Sequence, residues 1–498
     1  MQVASPLPPP DSNGVIDYNV IKISADIQEN YKIFKEIFKN DNTVVIRVFE
    51  NQQDKDIQFL GISINGMVKP NSIYQSITSP LMQKKFDKNE SYFTQAHREI
   101  ISSLDLSIKT DVKDIVKAIL YGDTAIMVSG GTQAILVETK GWSTRSISEP
   151  DSEKNLKGPR EGFTEAMIIN ASLIRRRIQT SDLKFQYMNL GTRTNTFACI
   201  VYLDSLVDKK VLTEFVRRLE KISSDSVLDA NYIEELIKDN RHSPFKTIGS
   251  TEKPDVAAAR ILEGRIALIV DGTPIVITLP YLFIENFQSP DDYYLNYYFA
   301  SIGRLLRIIG FFITISLPSV YLALVTYHQE MLPTQMVTAI AESSKGVPFP
   351  TFVECLIMLF VFEILRETGI RMSSKIGQAL GIVGGLVVGQ AAVEAKIVSA
   401  PMVIVIAFTG ITGLITPRLS GAAILIRTLS LIFTAILGFY GFFLFMITVL
   451  IHVMSLKSFS YEYISLSFKP QSIKDIYVRA PQWQLKTRPK FAKDKYRR

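Results

Sequence analysis

Two charged residues interrupt an otherwise apolar part of the chain. Glu394 and Lys396, in the run VVGQAAVEAKIVSAP, are the only charged side chains from Ile376 to Thr416. A charged group inside a membrane is costly, and it usually faces the interior of a helix bundle or a water-filled path. The pair therefore either lines an ion pathway or marks the place where a helix reaches the membrane surface.

The sequence contains none of the common signatures of enzymes. GxxxxGK[ST], HExxH, CxxC and GxSxG motifs are all missing from its 498 residues. Four histidines are scattered along the chain at His97, His242, His328 and His452. Two cysteines, Cys199 and Cys355, are too few for a disulfide framework or a zinc site. We therefore predict a protein that is not an enzyme and that holds no cofactor and no metal.

The apolar residues are concentrated in the second half of the chain. Five apolar stretches occupy residues 308–325, 348–365, 376–393, 397–416 and 428–456. Most of them match the roughly 17 to 25 residues that an α-helix needs to cross the hydrocarbon core of a bilayer. The sequence predicts an α-helical polytopic transmembrane domain at residues 303–456, preceded by a soluble N-terminal half.

Charge places both ends of the chain on the cytoplasmic side. The tail at residues 457–498 carries eleven Lys and Arg against three Asp and Glu, a surplus larger than the net charge of +7 for the whole chain. Arg304 and Arg307 precede the first apolar stretch. Basic flanks are typical of cytoplasmic loops and tails. We expect the tail to lie along the membrane and predict no nucleic-acid partner.

The number of crossings conflicts with this placement. Five complete crossings would leave the two ends on opposite sides, so one stretch is expected not to cross and four to be full spans. The stretch at 348–365 is one candidate because it contains Glu354 and Glu363, and the glycine-rich stretch at 376–393 is the other. The sequence does not decide between them.

Strand and helix patterns alternate in the first half and predict two α/β subdomains, at residues 31–147 and 148–286. A flexible proline-rich leader at 1–30 is expected to precede them, because its start has neither the basic flank nor the apolar run of a signal peptide. Hairpins within 43–64 and 124–139 predict a four-stranded sheet in the first subdomain. The second subdomain closes with RIALIV and IVITLP across an Asp-Gly-Thr-Pro turn.

Two charged segments of the second subdomain have several interpretations. In the run LIRRRI, at residues 173–178, three arginines could contact another subunit, bind anionic lipid or simply face solvent. The segment at 146–163 mixes four acidic with three basic groups, which favours packing through salt bridges over a catalytic site.

Residues 287–302 predict an elbow helix lying on the membrane surface. Ser289 suits the N-cap and Pro290 the first helical position, and Asp291 and Asp292 suit the positive end of the helix dipole. Five aromatic residues follow within eight positions, as is typical of interfacial helices. The alternative is a buried helix of the soluble half.

The helix predicted at 376–393 has two different sides. Glycines recur every four residues at Gly377, Gly381, Gly385 and Gly389. At about 100° per residue they form a stripe that lets helix backbones approach closely in lipid. The opposite side carries Val383, Val387, Gln390 and Glu394.

This second side could line a pore if several copies of the chain surround an axis. Valines would then close the pore by excluding water, and a ring of Glu394 carboxylates would favour cations. The alternative is a tightly packed helix that reaches the membrane surface at Glu394, with Lys396 as a pairing partner. The residues alone leave both alternatives open.

Four separated runs of the sequence resemble the A-subunit family of bacterial spore germinant receptors. They occupy residues 149–178, 262–294, 381–401 and 478–489, in the family's order, and the likeness extends over residues 100–490. The resemblance implies a location in the inner membrane of dormant spores. It also implies two partners, a transporter-like B subunit that senses the nutrient and a lipoprotein C subunit. Finally, it implies a homo-oligomeric ring of five copies that conducts ions.

We therefore expect the A subunit of a nutrient germinant receptor, which forms a ligand-gated ion channel that triggers spore germination. The alternative is a membrane scaffold that conducts nothing and whose soluble half binds partner proteins or a small ligand.

Overall fold

The computed structural model describes residues 18, 21–101, 106–142, 150, 153, 156–371, 387–464, 475 and 478–485. Two α/β domains, each built on a five-stranded antiparallel sheet, come first along the chain. A group of long apolar helices follows them. The predicted order of an α/β half and a helical half is therefore present.

The first domain has the strand order β1-β2-β4-β5-β3. Its strands are β1 Val44–Glu50, β2 Gln58–Ile64, β3 Leu106–Lys109, β4 Asp123–Val128 and β5 Ala134–Glu138. Its helices are α1 Ile27–Ile37, α2 Pro70–Ile73, α3 Ser79–Gln83, α4 Tyr92–Gln95 and α5 Val112–Leu120, with π-helical turns at Tyr74–Thr78 and Ala96–Ile100. The predicted pairings of β1 with β2 and of β4 with β5 are confirmed. The prediction of four strands is wrong because β3 pairs along the free edge of β5.

The core of the first domain begins earlier in the sequence than the leader prediction allows. Ile21, Ile23 and Ile27 are buried against the sheet, and α1 starts at Ile27 with the side chain of Asp26 accepting a hydrogen bond from Gln28 N. A segment that buries apolar side chains and caps a helix belongs to the folded domain. The predicted leader therefore does not extend to residue 30, because residues from Ile21 onward belong to the folded domain.

The second domain has the strand order β6-β7-β9-β10-β8. Its strands are β6 Leu183–Leu190, β7 Thr196–Leu203, β8 Gly249–Thr251, β9 Ile266–Val270 and β10 Val276–Leu279. Its helices are α6 Met167–Arg177, α7 Lys209–Glu220, α8 Ala230–Ile237 and α9 Pro254–Leu262. β9 is buried along its whole length because helices or loops cover both faces of the sheet.

Arg175, one of three arginines near the end of α6, connects the two domains. Arg175, 1% exposed, donates to the Asp41 carboxylate and, at 2.9 Å, to Thr43 Oγ1 of the first domain. Arg177 Nη2 lies 2.6 Å from the Glu161 carboxylate. Arg175 therefore faces neither lipid, nor another subunit, nor solvent, and these three interpretations are wrong for it. A buried guanidinium that loses its carboxylate leaves an uncompensated charge, so this contact fixes the domains against each other.

The helical region follows β10 and a 3₁₀ turn at Phe283–Phe287. Its helices are α10 Asp291–Tyr294, α11 Tyr297–Thr326, α12 Thr334–Ser343, α13 Thr351–Arg371, α14 at residues 387–394, α15 Ala400–Leu414 and α16 Ser420–Ser455. Two helical stretches among the described residues, Tyr297–Thr326 and Pro417–Ser455, are long and apolar enough to cross a membrane. α15 is equally apolar but shorter.

The last of these helices is a hairpin. Gly438 has φ 60° and ψ −141°, a conformation open essentially to glycine alone, and it divides α16 into residues 420–437 and 439–455. The rings of Phe433 and Phe445 stack 5.3 Å apart, although a straight helix would separate these positions by about 18 Å. The two halves therefore run antiparallel. The expectation that the apolar stretch at 428–456 forms a single helix is therefore wrong.

Contacts between helices give the direction of each one. The end of α11 lies at the apex of the hairpin, where a Cβ on Gly438 would be 3.0 Å from Tyr327 Cγ. Thr314 donates to Thr412, near the end of α15, at 2.9 Å. Further along α11, Leu322 shares an apolar cluster with Val398 just before α15, so the two helices run antiparallel. Glu354 contacts Ser399 at the start of α15, while Phe362 packs on Gly410 further along, so α13 and α15 run in the same direction.

Candidate functional site

The junction between the second domain and α11 contains several buried charged side chains, among them Arg265, Glu285, Asp292 and Arg304. An aromatic cluster lies between β10 and the helices α10 and α11. In this cluster the rings of Phe283, Phe287 and Phe311 pack edge to face. α10 is a single turn, and α11 starts afresh with Asn296 accepting a hydrogen bond from Tyr298 N at 3.1 Å. The predicted elbow is therefore two helices, and the side chain of Ser289 does not cap either of them.

Asp292 is the centre of the first charged group. Its carboxylate, 2% exposed, accepts from Arg304 Nε at 3.2 Å and is also contacted by Arg307. Arg304 is itself completely buried. Arg304 and Arg307, which the sequence assigned to a basic flank of the membrane, thus both bind the Asp292 carboxylate. The start of α11 is consequently fixed to α10 and can move only with it.

The C-terminal tail packs against the same elbow. Arg304 donates to the Asp475 carbonyl, and the Tyr293 hydroxyl donates to the Asp475 carboxylate at 3.1 Å. Burial and the facing carboxylate raise the pKa of the Tyr293 phenol, which keeps it protonated as the donor. Further along, Arg479 N donates to Ser301 Oγ at 3.1 Å. A displacement of α11 would therefore break contacts with the tail.

A second charged group joins the sheet of domain 2 to the helices. Arg265 Nη1 lies 2.7 Å from both carboxylate oxygens of Glu285. Burial lowers the pKa of Arg265, but the carboxylates of Glu285 and Glu263 raise it by more, so its pKa is raised overall and it stays charged. Arg418, between α15 and α16, donates to the Glu153 carboxylate at 2.9 Å and to the Glu285 carbonyl at 3.4 Å. The salt bridges predicted for 146–163 therefore include one to the helical region.

Carboxylates also lie among the apolar helices. Glu354 of α13 is buried and accepts from both the backbone N and the hydroxyl of Ser399, each at 2.9 Å. Glu363, two turns further along α13, contacts Arg427 of α16 and pairs with Arg366 at 2.8 Å. These charges suggested that 348–365 does not cross. Each is satisfied within the bundle, which is how intramembrane charges are usually tolerated.

The described part of the predicted pore side lies on α14. Val387, Gln390 and Glu394 share one exposed side, and Gln390 Nε2 donates to Glu394 Oε1 at 3.2 Å. Gly389 is buried on the other side, where an added Cβ would lie 3.2 Å from Val403 Cγ1 of α15. The remaining predicted positions, Gly377, Gly381, Val383 and Gly385, lie outside the described residues.

Comparison with known proteins gives the family. The family model described as Bacillus/Clostridium GerA spore germination protein matches residues 32–491. The chain belongs to the GerA spore germination family. The resemblance inferred from the four sequence runs is thereby confirmed.

Curated relatives of this GerA-family chain match it over most of its length. Spore germination protein KA of Bacillus subtilis (strain 168) is 40% identical over 473 residues, covering 94% of this chain and 87% of the relative. Spore germination protein GerLA of Bacillus cereus is 35% identical over 436 residues, covering 86% and 88%. The uncharacterized membrane protein YfkQ of Bacillus subtilis (strain 168) is 37% identical, covering 94% and 91%.

A solved structure is also similar to the GerA-family chain. It is the crystal structure of the N-terminal domain of the A subunit of the Bacillus megaterium spore germinant receptor GerK3. The two are 31% identical with a TM-score of 0.43, and the alignment covers 53% of this chain and 98% of that one.

Sequence reasoning missed the two charged groups at the junction. The sequence pattern assigns Asp292 to the helix dipole. Arg304 and Arg307, 12 and 15 residues further on, lie on the same side of the following helix and pair with Asp292. That spacing was a usable signal. The contacts of Glu285 with Arg265 and of Arg418 with Glu153 join distant segments, and no local pattern reports them.

Proposed function

We propose that this chain is the A subunit of a nutrient germinant receptor in the spore inner membrane. Copies of it assemble into a ring, for which five is the expected number, and the ring forms a ligand-gated ion channel that triggers germination. The role is not enzymatic. The match to the GerA family over residues 32–491 supports the receptor role, and its B and C partners follow from the same family resemblance.

Six membrane crossings fit the directions of the helices. α11 leads away from domain 2, α13 returns, α14 leads away towards the start of α15, α15 returns, and the two halves of α16 lead out and back. With an even number of crossings, the soluble half and the basic tail lie on the same side of the membrane, which the basic residues indicate is the cytoplasmic side. In this proposal the last stretch crosses twice, which would remove the parity conflict.

The observation that carries the channel proposal is the two-sided α14. Its glycine side packs on α15 of the same chain, while Val387 is 56% exposed and lies within about 60° of Gln390 and Glu394 around the helix. In a ring this side faces the axis, where valines exclude water in the closed state and the carboxylates attract cations. The charged groups around Asp292 and Glu285 connect the soluble half to α11, which contacts α15, and α15 packs on α14.

Current across a planar bilayer that contains the purified receptor complex tests this function. We expect cation current that rises when a nutrient mixture is added. Absence of any current with the complex correctly assembled would overturn the channel proposal. The mass of the detergent-solubilised A subunit provides a second readout, since a ring requires several copies.

A scaffold that conducts nothing is the second candidate, and an exposed apolar row favours it. Tyr232 and Leu236, four residues apart on the outer side of α8, are exposed, and so is Leu228 just before the helix. Such a row is suited to binding a partner protein. Loss of B-subunit co-purification in a Leu228→Ser/Tyr232→Ser variant, together with no current from the intact complex, would favour the scaffold.

A further inference from the structure

A cleft on the second domain has a strong excess of positive charge. It lies between the ends of α7 and α8 and has a volume of about 560 Å³. Its charged lining residues are Arg218, Lys221, Lys238, Arg241 and Asp239. Four cations thus face one carboxylate.

The single carboxylate is already neutralised by its own domain. Asp239 accepts from Arg218 Nη2 at 2.6 Å and from Phe459 N at 2.8 Å. Arg218 is held further by Glu214 at 2.8 Å and stacks on the Phe459 ring. The remaining three cations, Lys221, Lys238 and Arg241, have no ion pair with any residue that the structure describes. They are therefore available to an external anion.

The cleft lies beside the end of the last apolar helix. Ser243 Oγ is 3.0 Å from His452 Nε2, one turn before α16 ends at Ser455. A smaller adjoining cavity is lined by Asp239 together with Ser455 and Lys457. The cationic residues are thus at the level where α16 leaves the apolar region, which is the level of lipid head groups if α16 spans the membrane.

We propose that this cleft binds the phosphate of an anionic phospholipid from the membrane around the protein. Lysine and arginine side chains form charge-assisted hydrogen bonds with phosphate oxygens, and basic groups at the cytoplasmic surface attract anionic lipids. The inference rests on the membrane orientation given under the proposed function and is independent of conduction. A free inorganic phosphate offers the same chemistry but has no acyl chains to hold it beside α16.

Native mass spectrometry of the full-length protein in detergent, titrated with phosphatidylglycerol, tests the site. The test variant is Lys221→Gln/Lys238→Gln/Arg241→Gln. The matched control is Lys32→Gln/Lys55→Gln/Lys113→Gln, which removes the same charge from exposed positions of the first domain that have no ion pair with described residues. We expect the test variant to bind phosphatidylglycerol at least about tenfold more weakly than the wild type. The control should bind it normally, and phosphatidylcholine should bind equally weakly to all three proteins.

Two results would overturn the proposal. Equal binding of phosphatidylglycerol by the test variant and the wild type would remove the cleft as a lipid site. Full competition by millimolar inorganic phosphate would replace the lipid with a soluble anion. If the test variant unfolds, Lys221→Gln alone is compared with Lys221→Arg, and only the arginine variant should retain binding. Loss of lipid binding with normal current, or the reverse, separates this site from the channel proposal.

Discussion

Asp292 shows how much depends on one carboxylate at the domain junction. It is the shared partner of Arg304 and Arg307. Its removal leaves Arg304 with the Asp475 carbonyl and, at 3.9 Å, the Asp475 carboxylate, and leaves Arg307 with the Phe287 carbonyl. Breaking a buried ion pair from one side is usually far more destabilising than forming it is stabilising. The contact therefore specifies the path of the chain from domain 2 into α11.

Asp292→Asn is expected to destabilise the protein by about 3 kcal/mol, because the amide keeps the shape but loses the charge. The apparent melting temperature of the detergent-solubilised chain should fall by several degrees. Asp56→Asn, at an exposed position in the β1–β2 turn, is the control and should change stability by less than about 0.5 kcal/mol. Equal melting temperatures for the two variants would contradict the account.

Glu394→Gln is expected to lower the preference of the channel for cations by at least about twofold, because it removes the carboxylates from the proposed pore mouth. The reversal potential in a salt gradient measures this preference. Glu342→Gln, on the exposed side of α12, is the matched control and should leave the potential unchanged. An unchanged reversal potential for Glu394→Gln would remove Glu394 from the ion path.

At the scale of elements, the sequence predicted the strands and helices that depend on residues close together in the chain. The strong pairs β1–β2 and β4–β5 and the buried side of α5 follow from alternation and helical periodicity. β3 and β8 were missed because four and three residues are too short for a period. The contact of Arg175 with Asp41 was missed because the two residues are 134 positions apart in the sequence.

The hairpin in α16 shows a different limit of the sequence. Hydropathy reports how apolar a stretch is but not whether the chain reverses within it. Two signals were available: residues 428–456 exceed one crossing in length, and Gly438 and Gly441 lie three residues apart in the middle of the stretch. Of the candidate site, the two-sided character of α14 could be predicted, while its neighbours in space could not.

Gly438→Ala is expected to destabilise the hairpin by about 1 to 3 kcal/mol, because φ 60° and ψ −141° strain any residue with a Cβ. The added methyl would also meet Tyr327 at 3.0 Å. Gly421→Ala, where a Cβ meets nothing within 4 Å, is the control and should be neutral or slightly stabilising. Thermal unfolding of the two variants compares them, and equal stability would contradict the reversal at Gly438.

Single cysteines in a cysteine-free background test the two crossings of α16. Tyr440→Cys, next to the apex and well exposed, should react with a membrane-impermeant maleimide from outside intact protoplasts. Lys457→Cys should react only after permeabilisation, because the proposed topology puts the end of α16 on the cytoplasmic side. Protection of position 440 under both conditions would mean that α16 crosses only once.

At the scale of the whole molecule, continuous contacts connect the soluble half to α14. Arg175 fixes domain 1 to domain 2, the groups around Glu285 and Asp292 fix domain 2 to α11 and Arg418, and α15 packs on both α11 and Gly389. A displacement of domain 2 by a bound partner would therefore reach the helix proposed to line the pore. Within a ring, all copies of α14 would move together.

Basal current through the purified complex in a planar bilayer, without any nutrient, tests the central claim that α14 lines the pore. Val387→Ala should raise this current several-fold, because a smaller apolar ring excludes water less effectively. Val388→Ala, about 100° away around the same helix, removes the same two methyl groups and should leave the current at the wild-type level. Equal basal currents for the wild type, Val387→Ala and Val388→Ala would contradict the account.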